Sequence, residues 1–394
     1  MPQYVELQLM SIYNSQFSLE NHRNSNVLSF MRILHIINGE LYSGAERVQD
    51  ILAQRLPELG FEVHLACIKP HLFPGKCRCS KDLVHTFPMR SRFDFVKALD
   101  IGRFIRDRGM KLVHSHTPRA ALVGRISSLL AGVPMVHHVH SPTQRDSDQI
   151  LRNVVNMLSE RLSISGIRQL ITVSRSLAEH FVGHGFSRNM VTVVPNGVTT
   201  LGILPNRPKP IVPWVIGVVA LFRPRKGLEM LIRAASIVSR EHSIRLLLVG
   251  PFETENYKRR IRKLASELLI DTFVEWIGFT DDVNAQLRRM DIFVLPSLFG
   301  EGMPMVILEA MAAGVPVVAT NVEGVPEVIS SRDVGRIVPP GSPEALSAAI
   351  MAILADETDW VKIRENAYKR QQKFFSDRSM AMRVAQVYRK VLEQ

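Results

Sequence analysis

Two glutamates, eight positions apart, frame the stretch of this chain with the densest chemical content: Leu295-Pro-Ser-Leu-Phe-Gly-Glu301-Gly-Met-Pro304-Met-Val-Ile-Leu-Glu309-Ala-Met-Ala-Ala-Gly314. Pro304 suits the first turn of a helix running to about Gly314, which puts Glu301 in a Gly-rich loop at the positive end of the helix dipole. Glu309 falls within a helix that is apolar almost all round (Met305, Val306, Ile307, Leu308, Ala310, Met311), so burial against a sheet is expected. A carboxylate is seldom buried unless a partner or ligand takes up its hydrogen bonds. Two carboxylates bracketing a helix N-terminus, downstream of the strand-type run Asp291–Leu295, suit a hydroxyl-rich ligand that carries phosphate.

Cations are grouped to match. Leu221-Phe-Arg223-Pro-Arg225-Lys226-Gly227 follows another apolar run, and three cations within four residues repel one another unless an anion holds them together. Gly39-Glu-Leu-Tyr-Ser-Gly44-Ala-Glu-Arg47 follows the first expected strand. Gly44 at a helix start lets the backbone approach a phosphate, and the exposed N–H groups there bind anions. The loop lacks the GxGxxG fingerprint, which argues against a dehydrogenase. Histidines cluster in His114-Ser-His116 and His137-His-Val-His140, both at strand ends, and alternation puts His138 and His140 on one face. Cys77-x-Cys79, with His71 and His85 nearby, is a poor zinc signature and reads as a plain loop.

The elements that position these groups follow a β/α alternation. Strands are expected at Arg32–Asn38, Phe61–Ile68, Lys111–His116, Val133–His140, Gln169–Ser174 and Val191–Pro195. The alternation restarts at Trp214–Leu221, Ile244–Val249, Phe273–Ile277, Asp291–Leu295 and Val315–Thr320. Helices are expected between them, including Gly44–Leu59, Pro118–Ala131 and Leu151–Ile164. Near-continuous apolar strands separated by helices imply parallel sheets covered on both faces. Three prolines and one glycine mark Leu201–Pro210 as a linker. The organisation expected is an α/β chain with two Rossmann-like parallel-sheet domains facing across a cleft. The first spans 31–205 and the second 211–375. Residues 1–30 read as a disordered or mis-started tail without the apolar segment of a signal peptide.

The string from Asp291 to Thr320 resembles that of the retaining GT-B glycosyltransferases of family 4, a resemblance covering residues 31 to about 390. It implies that Glu301 contacts donor-sugar hydroxyls, that Glu309 holds the nucleotide ribose, and that Arg223 and Lys226 clamp the diphosphate as a metal does elsewhere. His140 is expected on the donor sugar, and the Gly44 loop over the diphosphate. The donor-binding set is completed by Gly302, Met303, Pro304 and Gly250. His116, Asp146 and Ser174 are placed on the acceptor side. Val-Ser-Arg at Ser174-Arg175 and Val-Pro-Asn-Gly-Val at Asn196-Gly197 resemble further family signatures, although Thr199 stands where the family usually has Asp. Asp146-Ser-Asp148 spells the metal-holding DxD string of a different glycosyltransferase fold; with two well-marked halves here, no metal and no other cofactor is expected. By analogy, the helical stretch 376–394 crosses back to the first domain.

At 394 residues the chain suits two cores, and 46% apolar with 22% charged residues is ordinary for a globular protein. Three cysteines make no disulfide framework and fit a reducing cytosol. Residues 31–205 carry 22 Lys/Arg against 13 Asp/Glu, most of the net charge of +12. Around Arg90, Arg92, Lys97, Arg103, Arg106, Arg108 and Lys111 these cations interleave with apolar residues, a face fit for anionic inner-leaflet lipids or for packing on the sheet. No nucleic-acid reading motif is present. The partners expected are a UDP- or GDP-linked sugar and a glycan or lipid-linked acceptor, in surface polysaccharide or lipopolysaccharide synthesis, in the cytoplasm or peripheral on the inner face of the membrane. A nucleotide-sugar epimerase or hydrolase, and a sugar-phosphate binding protein without turnover, are the alternative readings.

Overall fold

The computed structural model describes residues 30–91, 94–141, 163–164, 166–200, 202–204, 206–207, 210, 212–355 and 357–394. The tail 1–29, Asp146, Asp148, most of the expected helix 151–164 and part of the linker lie outside the described residues.

Two parallel sheets organise Met31–Gln394. The first holds β1 (Met31–Ile37), β2 (Phe61–Cys67), β3 (Val84–Thr86), β4 (Leu112–Ser115), β5 (Met135–Val139), β6 (Gln169–Thr172) and β7 (Val191–Val193), in the order β3-β2-β1-β4-β5-β6-β7. The second holds β8 (Trp214–Val219), β9 (Ile244–Val249), β10 (Val274–Gly278), β11 (Ile292–Leu295), β12 (Val317–Thr320) and β13 (Arg336–Val338), in the order β10-β9-β8-β11-β12-β13. Strands β4, β5, β6, β11 and β12 are buried throughout, as strands covered on both faces must be. The sequence missed β3 and β13, three residues each, because so short a run shows no periodicity.

In each sheet the strand order reverses direction at one point, between β1 and β4 and between β8 and β11. Crevices open beyond the carboxyl ends of strands at such points. The loops there are the ones the sequence marked: Asn38–Ser43 after β1, His116–Thr117 after β4, Ala220–Gly227 after β8 and Pro296–Pro304 after β11. The chain therefore aims its chemical residues through topology.

The C-terminal segment joins the halves. The Glu357–Phe374 helix lies on the second sheet's side, where Trp360 Nε1 donates to the Asp291 carbonyl at 2.8 Å. The Asp377–Leu392 helix then packs on the first half: Arg55 pairs with Asp377 at 2.9 Å, and Tyr388 is fully buried beside β1. The crossing occurs at Gly197. A Cβ there would lie 2.3 Å from the Ser376 carbonyl oxygen, so the Asn-Gly motif provides the close approach of two backbones.

One face of the first sheet is lined with histidines. His35 of β1 is the register partner of His114 of β4, and His116, His138 and His140 continue the cluster, with ring centroids 4.1 to 5.5 Å apart between neighbours. His137 alternates to the other face, where Ser115 Oγ lies 2.8 Å from its Nδ1. Burial lowers the His35 and His140 pKa values to about 3 and that of His137 to about 4. For His114, His116 and His138, burial and then the neighbouring imidazoles push the pKa well below 6.5. The folded protein thus refuses protons that the unfolded chain accepts below pH 6.5, so stability falls as pH drops through that value. The limiting slope is about 1.4 kcal/mol per pH unit for each histidine. Denaturant midpoints are expected to agree at pH 7.5 and 8.5 and to fall clearly by pH 5.5; an unchanged midpoint at pH 5.5 would contradict the buried neutral cluster.

Candidate active site

A cavity of 370 Å³ lies between the carboxyl ends of the two sheets. The first half contributes Gly44, Arg47 and His140, and the second contributes Lys226, Glu301 and Glu309. Gly250, Gly302, Met303 and Pro304 also line it.

Each carboxylate has found a cation. Glu301, 6% exposed, accepts from Lys226 Nζ and from Ser297 Oγ at 2.6 Å. Its loop is held from behind, because the Glu323 carboxylate accepts from the Gly300 and Glu301 N–H groups at 3.0 Å each. Glu309, 5% exposed, accepts from Arg47, which reaches across from the Gly44–Arg55 helix. The Met305–Ala312 helix carrying Glu309 is buried on nearly every side, and the Pro304 side of its N-terminus opens on the cavity. Buried pairs of this kind are marginal in net energy, but deleting one partner strands a charge at a cost of about 3–5 kcal/mol. Two carboxylates and two cations at one helix N-terminus can exchange partners with an incoming phosphate and sugar.

The remaining residues are placed as follows. His140 lies 3.0 Å (Nε2) from His116 Nδ1, so His116 stands behind His140 instead of facing the cleft directly. The His140 carbonyl sits where a Cβ on Gly302 would be, 2.0 Å away, so glycine is required for the two halves to meet here. Ser174 is buried and caps the Arg175–Gly183 helix through the Leu177 N–H, while the Arg175 and Ser176 N–H groups hold the Glu327 carboxylate of the other half at 2.8 and 3.0 Å. Asn196 donates to the Met303 carbonyl at 2.9 Å. Arg223 does not line the cavity; its guanidinium is 3.6 Å from Glu253 and its Nε is buried without a partner among the described residues. Arg225 instead braces the loop, donating to the Gly300 carbonyl at 3.0 Å.

Sequence reasoning gave no role to Arg47, Ser297 or Glu323. Arg47 had a signal, a cation one turn into the helix opened by Gly44; the other two are ordinary loop residues whose function depends on tertiary placement. The sequence expected no disulfide framework and read Cys77-x-Cys79 as a plain loop; Cys77 and Cys79 are bonded to each other, and Asp50 accepts from the Arg78 and Cys79 N–H groups around that turn. The short spacing closes a local loop and needs no larger framework.

Comparison with known proteins gives the same outline. The family profile described as Glycosyltransferase Family 4 matches residues 42–200, and the profile described as Glycosyl transferases group 1 matches residues 205–370. A phosphatidyl-myo-inositol mannosyltransferase of Mycolicibacterium smegmatis is 26% identical over 78% of this chain and 80% of its own length. The capsular polysaccharide biosynthesis glycosyltransferase CapM of Staphylococcus aureus is 26% identical over 79% of this chain and 86% of its own. Among solved structures, HepE of Anabaena in complex with UDP-glucose superposes with a TM-score of 0.79 at 20% identity, covering 91% of this chain and all of that one. Two parallel α/β sheets, a cleft at both switch points, and profiles that together span 42–370 lead to one conclusion: the chain belongs to glycosyltransferase family 4 and is a glycosyltransferase of the GT-B fold.

Proposed function

We propose that this enzyme transfers a sugar, with retention at its anomeric carbon, from a nucleoside-diphosphate sugar to a glycan or lipid-linked acceptor in surface polysaccharide or lipopolysaccharide synthesis. The pairing of Glu301 with Lys226 and of Glu309 with Arg47 around one helix N-terminus carries this reading. The donor would lie mainly on the 211–375 half, the acceptor would enter from the 31–205 half, and the 376–394 helix would tie the two together. UDP is favoured as the carrier, since it is the nucleotide bound in HepE, and an Escherichia coli relative at 24% identity is a UDP-Gal:alpha-D-GlcNAc-diphosphoundecaprenol alpha-1,3-galactosyltransferase. GDP is the other carrier considered.

In this reading Lys226 and Arg47 exchange their carboxylates for the diphosphate, and the N–H groups at Gly44 and at the Pro304 turn complete its cradle. Freed carboxylates then accept from hydroxyls: Glu301 from the sugar, Glu309 from the ribose. Charge building on the leaving diphosphate is met by cations already in place, and that preorganisation lowers the barrier. The leaving phosphate oxygen takes the acceptor's proton as the new bond forms on the same face. His140, neutral because it is buried, contacts the sugar as a hydrogen-bonding group. Arg223 is kept for the diphosphate as a residue that must release Glu253 first.

Among the described residues no helix is long and apolar enough to cross a membrane. The Phe95–Asp107 helix buries Ala98, Ile101 and Ile105, yet leaves Val96 and Leu99 exposed beside exposed Leu129 and Leu130 of the next helix and the cations Arg103 and Arg106. That mixed patch supports docking on anionic lipid, where a lipid-linked acceptor would be found.

Three outcomes are expected. Glu301→Ala lowers the transfer rate by about 10²–10³-fold, whereas Lys226→Ala also loses donor affinity; full activity in both variants would remove this cleft from the reaction. A UDP-sugar raises the melting temperature by the same increment with and without EDTA, and an increment lost in EDTA would require a metal on the diphosphate. Vesicles containing anionic lipid bind the protein at low salt and release it at high salt, and replacement of Val96 and Leu99 by Ser weakens that binding; equal binding to neutral vesicles would contradict the docking face.

A further inference from the structure

The five imidazoles on the β1–β4–β5 face hold ten ring nitrogens, and six of these are buried without a hydrogen-bond partner among the described residues: His35 Nδ1, His114 Nε2, His116 Nε2, both of His138, and His140 Nδ1. A buried polar atom without a partner destabilises the fold, so six together are a heavy burden for a protein core. Apolar side chains would fill the same space at no such cost. The donor-sugar reading uses His140 alone and leaves this concentration unexplained.

Three of the rings share a further pattern. His35 Nε2 and His114 Nδ1 lie 2.8 and 2.6 Å from the Tyr388 hydroxyl oxygen, and His116 Nδ1 lies 3.0 Å from His140 Nε2. Each ring therefore has one nitrogen tethered and the other bare. One ring nitrogen from each lies within 4.8 Å of those of the other two. Three imidazoles this close, each with one nitrogen tethered, resemble metal-binding histidines, whose outer hydrogen bond fixes both ring orientation and tautomer.

We propose that His35, His114 and His116 bind a divalent first-row transition metal, zinc by preference, inside the first half of the enzyme. A set of neutral imidazoles with no carboxylate suits zinc, copper or nickel and does not suit magnesium, calcium or manganese. His138 stacks parallel to His114, with centroids 5.5 Å apart, but its nitrogens group with those of His116 and His140, so it is not one of the three ligands. The ligating form needs hydrogen on each outer nitrogen. His35 and His114 then donate to the two lone pairs of the Tyr388 oxygen, and His116 donates to His140 Nε2. His140 consequently carries its own hydrogen on Nδ1, which couples the metal to the ring lining the sugar cleft. Tyr388 comes from the last helix, so the metal also ties the C-terminal crossing to β1 and β4.

The test uses the full chain freed of any histidine tag, stripped by a chelator and titrated with Zn²⁺ or Co²⁺ alone. One equivalent per chain and a raised melting temperature are expected, with ligand-field bands of nitrogen-bound cobalt. Binding is lost in the His35→Asn/His114→Asn double variant and retained in Cys77→Ser/Cys79→Ser, which separates this site from the Asp50–Cys77–Cys79 group. Tyr388→Phe keeps all three ligands and weakens binding by about 10–100-fold; it decides the matter should the double variant fail to fold. No stoichiometric metal in the wild type, or affinity unchanged in Tyr388→Phe and in the double variant, would overturn the proposal. Metal stoichiometry is read without any sugar transfer, so failure here leaves the transferase reading standing.

Discussion

The pairing of Glu301 with Lys226, and of Glu309 with Arg47, is the interaction on which the cleft depends. Both carboxylates are almost fully buried, and neither would be tolerated there without a cation or a fan of donors. The two pairs are not equivalent. Lys226 and Glu301 both come from the second half, whereas Arg47 comes from the first and closes the cavity against Glu309. One pair charges the site and the other also joins its walls.

Everything that sets these pairs is topological. Parallel strands bring the loops after β1, β4, β8 and β11 to the same side, and the switch points open the space between them. The halves are then held in register by backbone approaches that only glycine allows, Gly302 against His140 and Gly197 against Ser376. Side chains would push the walls apart by about 1 Å, enough to break a hydrogen bond across them, so the site's electrostatics rest on two missing methyl groups. Glu323 and Glu327 act similarly from the second half, each spending a carboxylate on backbone N–H groups: Glu323 on Gly300 and Glu301, Glu327 on Arg175 and Ser176.

Much of this was legible beforehand, for physical reasons. Apolar runs such as Ile244–Val249 are strands because nothing polar interrupts them, and Glu309 stood out because an acid in an otherwise apolar helix needs a partner. What stayed hidden depends on distances across the fold. Arg47 lies 262 positions from its carboxylate. Arg223 was grouped with Lys226 by sequence, yet the turn over Pro224–Lys226 sends one toward the cleft and the other toward Glu253. The histidine strings were visible, but that His35 joins them, and that Tyr388 from the last helix reaches them, follows only from the register of β1 with β4 and the return of the C-terminus.

In the proposed reaction Lys226 is held by Glu301 only until a diphosphate replaces that carboxylate. Calorimetric titration of bare UDP into wild type, Lys226→Ala and Glu301→Ala tests it directly. UDP carries the diphosphate but no sugar, so removing Glu301 deletes a competitor for Lys226 and no ligand contact. Lys226→Ala is expected to weaken UDP binding, while Glu301→Ala leaves it as tight as wild type or tighter. Equal loss of UDP affinity in both variants would mean that the pair itself builds the site, and would contradict the exchange.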